Sequence, residues 1–171
     1  GNLFGALEFA MEAAKAGVQP IIGCQVRLGL ENHELVLLAR SEQGYRNLCR
    51  LVSHSFLDTD PQLLPHVTLE KLTAHAEGLI VLTGGIRGPL SQYLLHNQPK
   101  TAADFLKALK KAFPRSLYVE IQRHEGWADE ERVEEALIDL AYKHDVPLVA
   151  TNDCYFAAPE FYEAHDALLC I

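Results

Sequence analysis

The stretch Gly78-Leu79-Ile80-Val81-Leu82-Thr83-Gly84-Gly85-Ile86-Arg87-Gly88-Pro89 decides the fold class. A short apolar run is stopped by paired glycines, and a Gly-Pro step then opens a helical pattern. Glycine permits the tight turn, and proline's fixed φ and missing N–H suit a first helical turn. The whole reads as strand, turn, helix, the unit of an α/β domain.

The same alternation extends outward in both directions. Upstream, Leu3–Ala16 carries a helical stripe of apolar residues, and Gly17 supplies the stop. Pro20–Val26 and Leu35–Ala39 read as strands, the second buried on both faces because it is apolar throughout. Ser41 opens a helix to about Phe56, Asp58–Pro65 is a proline-containing loop, and Thr68 caps a short helix over Leu69–Ala74. Downstream, Thr101 is expected to cap a helix to Phe113, Leu117–Gln122 to form a strand, Asp129 to cap a helix to about His144, and Pro147–Thr151 to form the last strand. Pro159 fits a first helical turn. This order predicts a parallel sheet with helices outside, either open or closed into a barrel, in one domain over residues 1–171.

Composition bounds the function. Of 171 residues, 49% are apolar and 22% charged, which suits a chain with a packed core. The net charge of −8 repels a phosphate backbone, and the basic cluster Lys107, Lys110, Lys111 and Arg115 reads as a solvated helix face. No run is long and apolar enough to span a membrane. Cys24, Cys49, Cys154 and Cys170 contain no CxxC and read as reduced, mostly buried thiols of a cytoplasmic protein. The opening GNLFGALEFA has no basic n-region and no initiator Met, so the chain is expected to be a piece of something longer.

In parallel α/β folds, chemistry gathers at the C-terminal ends of strands. Those ends offer Gln25, then Thr83-Gly84-Gly85, then Gln122-Arg123-His124-Glu125, then Thr151-Asn152-Asp153-Cys154-Tyr155. His124 and Asn152 are candidates for a polar cleft. There is no HxH, no HExxH and no paired carboxylate at a strand end, so a metal site has little support from spacing alone. His33, His54, His66, His75, His96 and His144 read as structural or solvent-facing; His165, beside Asp166, is the least ordinary. Ser53 and Ser55 flank His54 but diverge from it on a helix. GGIRG lacks the lysine and spacing of a phosphate-binding loop.

Five phrases taken in order carry a resemblance: NLFGALEFAMEAAKAGVQPIIGCQV, LVLLARSEQGYRNLCRLVS, EGLIVLTGGIRGPL, YVEIQRH and LVATNDCYFAAPEFYEAHDALLCI. Together they resemble the PHP (polymerase and histidinol phosphatase) domain of the bacterial C-family replicative polymerases, the DNA polymerase III α subunits. The resemblance covers essentially the whole chain. It implies a distorted (βα)7, TIM-like barrel, of which about the first two βα units would precede Gly1. Active members gather three metal ions, zinc or manganese, at the strand ends, and some perform 3′–5′ exonuclease proofreading with metal-activated water. Magnesium would serve a polymerase site outside this chain.

At the matching positions this sequence departs from the metal-binding pattern. Gln25 stands for Glu, Glu34 for His (with His33 one residue off), Gly85 for Cys and Tyr155 for His, while Asp153 is kept. Neutral amide, glycine and protonated phenol are poor substitutes for charged or imidazole ligands. The resemblance therefore implies a vestigial, metal-free site with no catalytic residue in this chain. It implies a scaffold that joins the remaining polymerase domains, docks the proofreading exonuclease subunit and meets DNA only through the complete polymerase. Its alternative is a working metal-dependent 3′–5′ exonuclease or phosphoesterase. A third reading, an acidic binding domain for a small ligand, explains the polar strand ends but not the ordered phrases. Unpaired barrel edges also predict that these residues fold poorly alone.

Overall fold

A computed structural model describes residues 1–31 and 33–170. The elements run α1 (Ala6–Lys15), β1 (Gly23–Leu28), β2 (His33–Ala39), α2 (Glu42–Leu57), α3 (Leu69–Ala74), β3 (Leu79–Leu82), α4 (Pro89–Leu95), α5 (Pro99–Ala112), β4 (Leu117–Ile121), α6 (Ala128–Lys143), β5 (Leu148–Ala150) and α7 (Tyr162–Leu169). Two 3₁₀ turns, Gly85–Arg87 and Pro159–Phe161, precede α4 and α7.

Local chemistry explains several boundaries. After α1, Gly17 takes φ +71°, and the N–H groups of Gly17 and Val18 donate to Ala14 O and Ala13 O, the paired bonds of a Schellman stop. Ser41 Oγ accepts the Gly44 N–H at 3.1 Å, and Thr68 Oγ1 accepts that of Lys71 at 3.2 Å. Ser41→Ala is expected to cost about 1 kcal/mol, with Ser41→Gly milder, measured as a change in the hydrogen-exchange protection of α2. Two expected caps differ. Pro99 begins α5 two residues before Thr101, because its fixed φ and missing N–H suit the first helical turn. Asp129 lies inside the first turn of α6, where its charge faces the helix dipole, and Trp127 holds the cap position.

The five strands form one mixed sheet in the order β1-β2-β3-β4-β5. The expected all-parallel pairing holds only for β3–β4 and β4–β5; β1–β2 and β2–β3 are antiparallel. Residues 29–32 are too short a connection to return β2 parallel to β1, so a hairpin is the only solution.

Side chains alternate across this sheet. Cys24, Val26, Leu35, Leu37, Leu79, Val81, Leu117 and Val119 share the buried face. They join one core with Leu48 and Leu51 of α2, Leu90 of α4, Leu106 and Leu109 of α5, and Val133 and Leu137 of α6. The opposite face carries Gln25, Glu34, Val36, Leu82 and Glu120. Val36 and Leu38 are only half-buried, so β2 is covered fully on one face rather than on both. α1 and α7 contain no buried residue and present Leu7, Phe9, Leu168 and Leu169 to solvent.

The thiols divide in a way that their sequence context did not show. Cys24 is buried, and desolvation pushes its pKa up, but Cys49 is intermediate and Cys154 and Cys170 are exposed. Among the described residues no helix is long and apolar enough to cross a membrane.

Candidate functional site

Strand alternation turns Gln25 and Glu34 to the same face of neighbouring strands, one diagonal step apart. Gln25 Nε2 donates to Glu34 Oε2 at 2.6 Å. Glu34 is also 3.6 Å from Nε of Arg87, which projects from the 3₁₀ turn after β3. Arg87 Nη2 donates to Asp153 Oδ2 at 2.5 Å and to the Tyr155 hydroxyl, and that hydroxyl donates to Asp153 Oδ2 at 2.8 Å. Three of the five positions singled out from the sequence (Glu34, Asp153 and Tyr155) thus meet around one guanidinium, and Gln25 joins them through Glu34. The contact with Tyr155, ahead of that with Asp153, pushes the arginine's pKa above its ordinary value, while partial burial opposes it.

The fifth position, Gly85, lies in the same 3₁₀ turn, where an added Cβ would fall 2.2 Å from Gln122 Oε1. Gln122 Nε2 in turn donates to Thr151 Oγ1 at 3.2 Å. Behind them lies a buried carboxyl group, Glu120, that the sequence reading passed over. It accepts the Gly84 N–H at 2.8 Å and the Thr151 hydroxyl at 2.5 Å, joining the ends of β3, β4 and β5. The signal was present in Leu117-Tyr118-Val119-Glu120-Ile121, an acidic residue inside an apolar strand.

His124 is fixed on the other side of the same strand ends. Its Nδ1 lies 2.8 Å from Oε1 of the buried Glu130, whose Oε2 also accepts the His124 N–H. With that proton on Nδ1, Nε2 is free to accept the Asp153 N–H at 3.5 Å. The Trp127 ring packs on the imidazole at 5.4 Å. Asn152 is exposed, and among the described residues no side-chain hydrogen bond ties it to this cluster. His33 is turned away, with its ring edge on Tyr93 and Nδ1 3.4 Å from Glu31; burial lowers its pKa against the pull of Glu31. His165 packs against the rings of Tyr155 and Phe156.

The surface along α6 is negative. A groove of about 660 Å³ along α6 is lined by Glu125, Glu131, Glu134, Glu135 and Asp139. Its one arginine, Arg123, is clasped through both carboxylate oxygens of Glu134 at 2.6 Å. Two of the four lysines of α5 are spent locally: Lys110 Nζ donates to the His144 and Asp145 carbonyls, and Lys107 pairs with Asp104.

A three-metal centre does not fit these residues. Among the described residues no group of three or more His, Cys, Asp or Glu side chains is arranged to hold a metal ion. Gln25 and Tyr155 are neutral donors, Gly85 offers no side chain, and the two carboxylates present already face a cation.

Residues 1–124 match the family model described as "PHP domain". The chain is 47% identical over 180 residues to DNA polymerase III subunit alpha of Caulobacter vibrioides, an alignment covering 99% of this chain and 16% of that protein. It is 40% identical over 173 residues to the Rickettsia bellii subunit, covering 99% of this chain and 15% of the relative. With the Vibrio cholerae subunit the identity is 37% over 175 residues, again 99% and 15%. The chain spans less than a fifth of the length of these relatives.

Proposed function

The chain belongs to the PHP domain family, and from that premise we propose that it acts as a non-catalytic module of a bacterial replicative DNA polymerase. The observation that carries this reading is the donor set at the strand ends. Gln25, Gly85 and Tyr155 supply no charge or imidazole where a metal cluster would need it, and Glu34 and Asp153 alone cannot hold several adjacent cations. Without activated water, hydrolysis of a phosphodiester has no nucleophile here.

In this reading the sheet belongs to a distorted barrel of the PHP type, with the Gln25, Glu34 and Glu120 face turned inward. The module then stabilises the polymerase and docks the separate proofreading exonuclease. Its acidic groove disfavours direct contact with DNA, and the exposed apolar side chains of α1 and α7 are the kind of surface that another domain or subunit covers. DNA is met through the complete polymerase, in the cytoplasm.

The test uses the intact protein, purified free of the exonuclease subunit, with Mn²⁺ and a labelled 3′ end. No shortening of the label is expected, and the exonuclease subunit is expected to be retained on the immobilised protein at low salt. Shortening that Asp153→Asn abolishes would establish the active alternative. Loss of partner binding at low salt would remove the docking role.

A further inference from the structure

We propose that Arg87 is a built-in cation: its guanidinium stands between Glu34, Asp153 and Tyr155 where a divalent ion would otherwise be drawn, and it fastens the segment after β5 to the ends of β2 and β3. The inference rests on the non-catalytic reading and deepens it, by naming what balances the charge of that site.

Three observations converge on it. The first is charge. Glu34 is 15% exposed and Asp153 31% exposed in their side chains, so two carboxylates approach the same guanidinium in partly desolvated surroundings. A single positive group between them relieves their repulsion. The second is shape. A guanidinium offers five donors in a planar fork, so one side chain can address two carboxylates and a hydroxyl that approach from different elements. Arg87 does this with Nε toward Glu34 and Nη2 toward Asp153 and Tyr155.

The third is mechanical. The segment after β5 has few other ties. Thr151 is held by Glu120, Gln122 and the Ile121 carbonyl, but beyond it Tyr155 and Phe156 are exposed, so the Arg87 contacts and the bond from the Asp153 N–H to His124 are what hold residues 152–156 to the strand ends. The Gly85–Arg87 turn is itself fixed, because Ser91 Oγ donates to Gly85 O at 2.7 Å and Gln92 Nε2 to Ile86 O at 2.8 Å. Arg87 therefore projects from a rigid base toward a loosely held loop.

The test is hydrogen exchange followed by mass spectrometry over residues 151–156 of the intact protein, with EDTA and then with millimolar MnCl₂. Because the ion pairs are partly exposed, Arg87→Ala is expected to speed exchange there by about fivefold in EDTA. MnCl₂ is expected to restore protection in Arg87→Ala, where Glu34 keeps only Gln25 and Asp153 only the Tyr155 hydroxyl and neither faces a cation, and to change nothing in the wild type. Arg87→Lys should fall between them, since an ammonium keeps the charge but not the fork. A merely structural arginine would not be replaced by an ion, so the manganese arm distinguishes the two roles.

Equal exchange in wild type and Arg87→Ala would overturn the proposal, as would manganese protecting the wild type equally well. If Arg87→Ala does not fold, Arg87→Lys and Asp153→Asn decide. Loss of protection in both, with no manganese rescue of Asp153→Asn, supports the proposal, and unchanged exchange in both overturns it. Failure of the non-catalytic reading shows separately, as 3′-end hydrolysis by the wild type.

Discussion

Replacing Gly84 with alanine is expected to destabilise the sheet by about 2–5 kcal/mol, the sum of a left-handed backbone cost of about 1–2 and an overpacking cost of about 1–3. Gly84 has φ +84° and ψ 20°, which a side chain disfavours. An added Cβ would also lie 1.8 Å from the backbone oxygen of Glu34 and 3.0 Å from Gly88 Cα. The obstacle is β2 itself, so relief requires a strand to move, and Glu34 would move with it. Native-state hydrogen exchange of β2 and β3 in the intact protein measures the loss, which should reach about thirtyfold or more in local opening. Gly126→Ala is the control. Gly126 has φ +82° but open space around it, so it should bear the backbone cost alone. Equal effects at the two glycines would show that the close approach to Glu34 is not as described.

Glu120→Ala is expected to cost about 2–4 kcal/mol, because it removes a buried carboxyl acceptor and strands two partly buried donors. The Gly84 N–H and the Thr151 hydroxyl both lose their partner, and the ends of β3 and β5 lose the group that joins them through β4. Glu120→Gln keeps one acceptor oxygen and should lose roughly half as much. A double-mutant cycle with Thr151→Val isolates the pair, and a coupling energy of about 1 kcal/mol or more is expected for groups in one network. A loss below about 0.5 kcal/mol for Glu120→Ala, the range of ordinary surface substitutions, would mean that the carboxyl group bears no structural role. The same variant should speed exchange at Thr151 and Asp153, because Glu120 lies directly behind the segment that Arg87 holds from the front.

Much of the fold was legible because it is local. A hydroxyl three residues before a free N–H announces a helix start, as Ser41 and Thr68 do, and Pro89 opens α4 for the same kind of reason. Apolar runs of four and five residues marked the central strands. The hairpin of β1 and β2 was also legible from its short connection, but the general strand–helix alternation of the chain pointed the other way. The antiparallel entry of β3 was not legible, since α2 and α3 intervene and nothing local states the direction of return.

The candidate site divides along the same line. The chain's own residues settled which side chains stand at the strand ends, and that Gln25, Gly85 and Tyr155 bring no ionic donors there, because the chemistry of a side chain belongs to the residue wherever it is placed. Tertiary structure alone decided that Arg87 meets Asp153 and Tyr155, 66 and 68 positions away, and that Glu120 turns inward to bind Gly84 and Thr151. Hydrogen bonds along a helix or turn are fixed by neighbours in sequence, whereas a charge finds its counter-charge only after the packed sheet has set the distances between distant strands.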